Sequence, residues 1–343
     1  MRGRDLAVLG IVLAVGGAAL GDALRNRGDT GGTAPSEVPT VPGTSRRTTT
    51  TPRPQPTAPE DFPLGALQGS LIFSTAGDCT LHSFDLAGGS ERPPPRVTAA
   101  ECEFRAALRG RGLAYRTSAQ TFGVIESRSP PPLVGNYEGL FDSIVWSPDG
   151  RRLAWCDNRK RGFQIDLEAR VLPPSPRRLS QCPIGYTSKG KLVFAALRRL
   201  VVGKRTILRT PTPGAITKAW WGADGSVAVL VEPQERVERW ERGRLTASLQ
   251  LGPSSEAADL IPSPGNCALA FADRRSGVTQ ILGLGCFRGA SPEAFFGHAA
   301  SWSPDGEWLA VAEPKRIAFL KVVGEGDVIY WPARVEELAW TTG

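Results

Sequence analysis

The chain has 343 residues and a formal net charge of +7 at pH 7, which is enough length for one large domain with appendages. It contains only two histidines and no Cys-x-x-Cys motif, which argues against a zinc centre. It also lacks a Gly-x-Ser-x-Gly elbow, a His-Glu-x-x-His motif, a phosphate-binding glycine loop and a calcium loop. The enzyme classes that these motifs mark are therefore excluded, and we predict no catalytic residue, metal or cofactor.

Residues 1–27 are predicted to be a signal-anchor helix or a signal peptide. A basic head with Arg2 and Arg4 precedes an uninterrupted apolar stretch from Leu6 to Gly21, and this order favours a cytoplasmic N-terminus. The stretch is slightly shorter than the ~20 residues that span a bilayer as a helix. A cleaved signal peptide is the competing interpretation, and a buried helix of a soluble protein is the third. Either export interpretation places the rest of the chain outside the cytoplasm.

Residues 28–61 are predicted to be a disordered linker. They consist mainly of Thr, Pro, Gly, Ser and Arg, a composition that cannot build a hydrophobic core. A Pro-rich tether of this kind is extended and semi-rigid, at up to ~3 Å per residue. It could hold a globular domain away from a membrane surface.

The remaining residues, 62–343, contain a repeated motif. Its best copies are Ile144–Trp155 and Ala300–Ala312, where two short apolar runs flank a Ser-Pro-Asp-Gly turn. Weaker copies occupy Ala219–Val229 and Leu260–Phe271. In the turn, proline pre-sets the first corner, aspartate caps it locally and glycine takes the left-handed position. The flanking residues alternate as half-buried strand residues do.

The repeat has a period near ~40 residues, which is typical of β-propeller blades with four strands each. The first core residue after each turn is separated from the next by 42, 40, 39, 35, 42 and 40 residues. These seven anchor residues are Leu71, Leu113, Leu153, Leu192, Val227, Leu269 and Leu309. The alternating apolar pattern and the Gly/Pro punctuation disfavour coiled coils and helical solenoids. We therefore predict an all-β propeller, most simply with seven blades, with six or eight left open.

The motif Trp-Ser-Pro-Asp-Gly-x-x-Leu-Ala resembles the short repeat of the TolB-like, or WD40-like, β-propeller families. Trp146–Trp155 and Trp302–Val311 match it closely. The Trp-Asp dipeptide that closes WD40 repeats is absent, and so is the additional N-terminal domain of TolB. The resemblance implies an architecture rather than an activity.

The two ends of the propeller are expected to form one blade. Glu337–Trp340 matches the strand before the turn, whereas Gly69–Phe73 matches the strand after it. We therefore expect a C-terminal strand, 335–341, to complete the first blade and close the ring. Closure would hide two sheet edges that otherwise favour aggregation.

All six cysteines lie in the propeller region, and the blade arrangement suggests how they pair. In three local pairs, one cysteine lies next to a second strand and the other lies next to a strand that follows it. These pairs are Cys79–Cys102, Cys156–Cys182 and Cys267–Cys286. We predict these three disulfides, which require Cα atoms within ~7 Å, in an oxidising compartment.

The polar residues that could carry chemistry have simpler structural interpretations. His82 lies in an alternating strand and His298 in a loop, and the turn aspartates are explained by turn chemistry. The tryptophans are expected to form core between blades, with an aromatic sugar-binding platform as the alternative. Carboxylates could still meet in a central channel, and this possibility remains open.

The positive charge is concentrated between residues 142 and 210, which contain fifteen basic and five acidic residues. We predict an anion-binding rim on one face of the propeller. It would consist of loops that follow second strands and of a connection between two blades. Its residues are Arg159, Lys160, Arg161, Arg177, Arg178, Arg198 and Arg199. Four others are expected on the opposite face: Arg151, Arg152, Lys189 and Lys191. Ordinary solvated charge is the alternative interpretation.

Together these features predict a membrane-tethered, single-pass, extracytoplasmic propeller that binds rather than catalyses. The expected partner is another envelope protein, an anionic wall polymer or a lipid head group. Nucleic acid is not expected, because the export segment opposes it. A secreted propeller enzyme acting on a glycan or peptide is the alternative. Carboxylates lining the central channel would favour the enzyme, and an apolar or basic channel mouth would favour the binding module.

Overall fold

The computed structural model describes residues 67–92, 102–108, 112–126, 133–168, 173–251, 258–273, 276–287, 294–323 and 327–342. The predicted N-terminal segment, 1–27, and the predicted linker, 28–61, lie outside the described residues. In the described part no helix is long and apolar enough to cross a membrane.

The described residues form seven antiparallel sheets of four strands each, a seven-bladed β-propeller. This confirms the predicted fold class. In blades 1 and 2 the strands are β1 (Ser70–Thr75), β2 (Leu81–Asp85), β3 (Ser90–Arg92), β4 (Phe104–Ala106), β5 (Gly112–Ser118), β6 (Thr121–Glu126) and β7 (Leu133–Glu138). A one-turn 3-10 helix, Phe141–Ser143, follows.

Blades 3 and 4 contain β8 (Val145–Trp146), β9 (Arg152–Cys156), β10 (Gly162–Asp166), β11 (Arg177–Leu179), β12 (Pro183–Tyr186), β13 (Leu192–Ala196), β14 (Arg199–Val202) and β15 (Arg205–Arg209). Blade 5 contains β16 (Ala215–Trp221), β17 (Val227–Glu232), β18 (Arg236–Glu241) and β19 (Arg244–Gln250). Blades 6 and 7 contain β20 (Ala258–Pro262), β21 (Ala268–Asp273), β22 (Val278–Gly283), β23 (Ala294–Phe296), β24 (Ala299–Trp302), β25 (Trp308–Glu313), β26 (Arg316–Lys321) and β27 (Val328–Pro332). The final strand is β28 (Val335–Thr341).

The ring is closed by the last strand of the chain. β28 pairs antiparallel with β1, with Trp340 opposite Leu71 and Leu338 opposite Phe73, so the sheet order of blade 1 is β28-β1-β2-β3. The Trp340 indole also donates a hydrogen bond of 2.8 Å to the carbonyl of Gln68. The two ends of the described chain therefore stabilise each other within one blade.

The Ser-Pro-Asp-Gly turns connect the first and second strands of blades 3 and 7. In blade 3 the Ser147 hydroxyl donates to Asp149 (2.5 Å) and accepts from the backbone of Arg152 (2.9 Å), while Gly150 has φ +68°. Ser303 makes the same two hydrogen bonds in blade 7. The aspartate of each turn therefore holds the turn in shape.

The tryptophan before each turn ties its blade to the preceding one. The Trp146 indole donates to the carbonyl of Arg105 at 3.0 Å, and the Trp302 indole donates to Ile261 at 2.8 Å. Because each acceptor lies on the first strand of the preceding blade, these hydrogen bonds fix neighbouring blades side by side. This is a structural reason for the repeated tryptophan.

Candidate anion-binding groove

The seven blade interfaces are not packed alike. Clusters of buried apolar side chains fill six of them: those between blades 1 and 2, 2 and 3, 4 and 5, 5 and 6, 6 and 7, and 7 and 1. Between blades 3 and 4 the described residues form no such cluster. Since apolar burial is the main force that joins blades, this interface is the weakly packed one.

A groove of about 830 Å³ lies at this interface. Its polar lining residues are Arg152, Gln164, Arg177, Arg178, Ser180, Gln181 and Lys191. Its apolar lining residues are Leu179, Leu192, Phe194, Ala196, Val201 and Val202, with Gly190 and Gly203 completing it. Four of the described lining residues are cationic and none is a carboxylate, so the groove is suited to an anion.

Strand register decides which cations of blade 3 face the groove. Arg177 lies opposite Gln164, and Gln164 lies opposite Ala154, so these three share the face toward blade 4. Arg178 lies opposite Phe163, which packs with the core toward blade 2. Because successive side chains alternate between faces, Arg177 shares the blade 4 face with Gln164, whereas Arg178 borders the groove from the other face of β11.

The blade 4 wall of the groove is apolar. Leu192, Phe194 and Ala196 occupy alternate positions of β13 and are only half-buried, whereas Val193 between them is fully buried against blade 5. Val201 pairs with Phe194 and extends the same surface onto β14. One face of blade 4 is thus buried in a core, while the other presents a strip of accessible apolar side chains.

The inner end of the groove is organised around Tyr186. The Gln164 amide donates a 3.0 Å hydrogen bond to the Tyr186 hydroxyl, and the Arg152 guanidinium lies 5.9 Å from the centre of its ring. Burial raises the pKa of Tyr186 to about 12, so the phenol stays neutral at physiological pH. These contacts position one cation at the groove without placing an ion pair on it.

Gly190 leaves the space that Arg152 occupies. A Cβ atom at Gly190 would lie 2.5 Å from the Arg152 Nη2 atom, and the residue has φ +69°, a region that favours glycine. Arg152 also acts on Asp149: although burial opposes ionisation of that carboxyl, the Ser147 hydroxyl, the Arg151 backbone N–H and the Arg152 charge lower its pKa. The Arg152 guanidinium therefore lies next to Gly190 and acts electrostatically on Asp149.

The far end of the blade 4 face carries two further arginines. Arg199 lies opposite Ala196, which lines the groove, and also opposite Arg209. Like charges directly opposite each other in a sheet repel, and no described carboxylate forms an ion pair with either arginine. The groove-facing side of blade 4 is thus cationic at the end where Arg199 and Arg209 lie. Its opposite end lies next to Arg152 of blade 3.

The structure divides the predicted basic rim rather than gathering it. Arg159, Lys160 and Arg161 lie in the turn between β9 and β10, where the ion pair between Arg161 and Asp157 (2.5 Å) neutralises part of the charge. Arg198 lies in the corresponding turn of blade 4 and donates to the carbonyl of Thr210 at 3.0 Å. In an antiparallel blade these two turns are on the same face of the ring.

One predicted placement is corrected. Arg177 and Arg178 lie in strand β11, not in the connection to the next blade, because the preceding strand β10 provides backbone partners for them. Arg152 and Lys191, predicted on the opposite face of the ring from the rim, line the same groove as Arg177. Sequence reasoning missed Gln164, Tyr186 and Phe194, since a half-filled blade interface has no local sequence pattern.

The three predicted disulfides are confirmed. Cys79–Cys102, Cys156–Cys182 and Cys267–Cys286 have Cα–Cα separations of 4.4, 5.4 and 4.9 Å. The first joins blade 1 to Cys102, two residues before the first strand of blade 2, and the third lies within blade 6. The second joins the end of β9 to the residue before β12, across the interface that lacks an apolar cluster.

The first strands of the blades surround the central channel, and Arg105 lies on the first strand of blade 2. Its guanidinium lies 3.6 Å from the carboxylate of Glu337 in blade 1 and 4.0 Å from that of Asp259 in blade 6. It also lies 5.4 Å from the ring centre of Phe141. These two carboxylates are therefore engaged by an arginine and do not form a pair of their own.

The two histidines have structural contacts. His82 is buried and stacks on Phe73 with ring centres 5.2 Å apart, and the His298 Nε2 atom lies 2.9 Å from the carbonyl oxygen of Glu336. Within the described ranges no group of His, Cys, Asp and Glu side chains could hold a metal ion.

The fold and the groove define a class: a seven-bladed β-propeller with a cationic cleft between two blades. No family model matches the chain, and neither does any curated protein. Solved structures with the same fold include a functionally unknown protein from Desulfotomaculum acetoxidans (TM-score 0.52, 9% identity, 80% of this chain and 99% of that chain). Another is a candidate 6-phosphogluconolactonase from Bacteroides fragilis (TM-score 0.51, 13% identity, 79% of this chain and 97% of that chain).

A third similar structure is the β-propeller domain of Cps50 (Swd1) from Myceliophteria thermophila, with a TM-score of 0.47, 13% identity and coverage of 70% of this chain and 89% of that domain. At these identities the likeness concerns the fold alone. The fold does not by itself define an activity, which has to be argued from the site.

Proposed function

We propose that this protein is a membrane-tethered, extracytoplasmic binding module that recruits an anionic partner through the groove between blades 3 and 4. The apolar segment Leu6–Gly21 and the Thr/Pro-rich linker support the tether, and three disulfides support an oxidising compartment. The short Trp-Ser-Pro-Asp-Gly repeat further relates it to the TolB-like propellers.

The observation that carries the proposal is the composition of the groove. Its described lining contains four cationic residues and no carboxylate, next to the half-buried apolar side chains of β13. Arginine forms bidentate hydrogen bonds with carboxylates and phosphates. An uncompensated cationic cleft on an otherwise closed propeller is a ligand site by its chemistry.

The location is tested on the full chain in its own cells. We expect the protein in the membrane fraction, accessible to protease added from outside, and without free thiols under denaturing alkylation. Recovery of six free thiols from a soluble fraction would contradict the proposal, because disulfides do not persist in a reducing cytosol.

The binding is tested with fluorescent polyglutamate and the purified full chain in neutral detergent. We expect an affinity that falls as salt rises, because contacts between exposed charges are screened within ~8 Å at physiological ionic strength. The variant Arg152→Glu should weaken binding, whereas Arg151→Glu should not, since Arg151 is exposed and paired with Glu168. Equal effects of the two variants would show that only net charge matters.

A further inference from the structure

The groove combines cationic side chains with a strip of apolar side chains, and one ligand has to complement both. Arg152 and Arg177 lie on the blade 3 side, and Arg199 with Arg209 lies at the far end of the blade 4 face. Between them runs the half-buried strip of Leu192, Phe194 and Ala196.

The apolar strip disfavours a uniformly charged polymer. A charge held against apolar side chains loses its hydration without gaining a partner, which is costly. Such a polymer would meet cations at both ends of the strip and none along β13. The complementary ligand has anionic groups at its two ends and apolar groups in the middle.

The spacing of the strip matches an extended peptide. Alternate residues on a strand are ~6.6 to 6.8 Å apart, so Leu192, Phe194 and Ala196 extend over ~13 Å. Alternate side chains of a bound extended segment repeat at the same interval. A lipid has a single charged head group, which could contact the cations at only one end of the groove. The cations at the other end would then have no anionic partner.

We propose that the groove binds an extended acidic segment of a partner protein, with apolar side chains at alternate positions and carboxylates on both sides. The inference rests on the proposed function, because it names the class of partner for the same groove. Carboxylates would contact Arg152 and Arg177 on the blade 3 wall and Arg199 and Arg209 at the far end of the blade 4 face, while the apolar side chains cover Phe194 and its neighbours.

The test uses the purified full chain in neutral detergent and fluorescence anisotropy. The probe is the peptide Glu-Glu-Leu-Ser-Phe-Ser-Leu-Glu-Glu, and its comparison is the same peptide with serine at the three apolar positions. Vesicles containing phosphatidylglycerol form a third arm. We expect the apolar peptide to bind about tenfold more tightly than the serine peptide, as burial of even one large apolar side chain supplies that factor.

Two pairs of variants make the test specific to the groove. Arg177→Glu should weaken binding of the apolar peptide by about tenfold or more, and Arg151→Glu, at an exposed position paired with Glu168 outside the groove, by no more than about twofold. Phe194→Ser should remove the preference for the apolar peptide, whereas Phe296→Ser should retain it, since Phe296 is exposed on blade 6. Unchanged circular dichroism and melting temperature show that each variant is folded.

The outcomes separate this inference from the proposed function. Equal affinity for both peptides, with sensitivity to Arg177→Glu, would overturn the inference and leave the anion-binding function intact. Binding to vesicles that Arg177→Glu abolishes, without binding to either peptide, would overturn it in favour of a lipid head group. No binding of any anionic probe at low salt would overturn both.

Discussion

Arg177 lies directly opposite Gln164 in the β10–β11 pair, so an outer-strand arginine shares a face with the glutamine that bonds to Tyr186. Its neighbour Arg178 lies opposite Phe163 and belongs to the other face. The two residues are adjacent, equally charged and both exposed. Both residues border the groove, but only Arg177 shares the face of Gln164 that is turned toward blade 4.

The disulfide at the groove is predicted to stabilise an interface that apolar packing does not. Replacing Cys156 and Cys182 together by serine should lower the free energy of unfolding by about 3 kcal/mol, the chain-entropy estimate for a loop of this size. Backbone hydrogen exchange in β11 and β12 should increase as well. The control is the Cys267/Cys286 double serine variant, which should leave exchange in those strands unchanged. Equal exchange in both variants would contradict the role of the disulfide in this interface.

Ring closure is predicted to depend on Trp340. Its side chain is almost fully buried between blades 7 and 1, and its indole donates to Gln68. Trp340→Ala should destabilise the protein by about 3 to 5 kcal/mol, as for other large-to-small core changes, measured by chemical denaturation. Deleting residues 335–343 should have a larger effect and expose strand edges to aggregation. A truncated protein that stays monomeric with an unchanged melting temperature would refute closure as a source of stability.

Tyr186 is predicted to contribute to alkaline unfolding. Its folded pKa of about 12 lies above the ordinary tyrosine value of 10.0, so above pH 10 the unfolded chain releases a proton that the folded chain retains. Stability is therefore fully present below pH 10 and should fall by about 1.4 kcal/mol per pH unit between pH 10 and 12. In Tyr186→Phe the melting temperature should fall less steeply over this range, whereas Tyr330→Phe, at an exposed position, should behave as the unmodified protein. An unchanged slope in Tyr186→Phe would show that this phenol does not determine the pH dependence.

Gly190 is predicted to matter for binding as well as for folding. Gly190→Ala places a Cβ atom against Arg152 in addition to straining the backbone, so it should both destabilise the protein by about 1 to 2 kcal/mol and weaken polyglutamate binding. Gly243→Ala is the matched control, since Gly243 has φ +77° and no atom within 4 Å of its Cβ position. It should cost similar stability without changing binding. Loss of binding in both variants would mean that the Arg152 contact is irrelevant.

The blade repeat could be predicted from sequence because its determinants are local. The turn around Pro148, Asp149 and Gly150 depends on backbone preferences of those residues, and the alternation after it depends on strand periodicity. The disulfide pairs followed from the same regularity, since a fixed blade geometry brings Cys156 close to Cys182. The number of blades then followed from counting one anchor residue per repeat.

The groove could not be predicted, because it depends on which blade faces are covered. The run from Leu192 to Ala196 is apolar on both faces, and in the sequence it is indistinguishable from strands buried on both sides. Likewise the register that separates Arg177 from Arg178 is fixed by pairing with β10, and neither residue indicates it alone. Local sequence therefore determined the blades, their turns and their disulfides. Only the tertiary structure decided the site, because the packing between blades 3 and 4 leaves one face of β13 open and sets cations beside it.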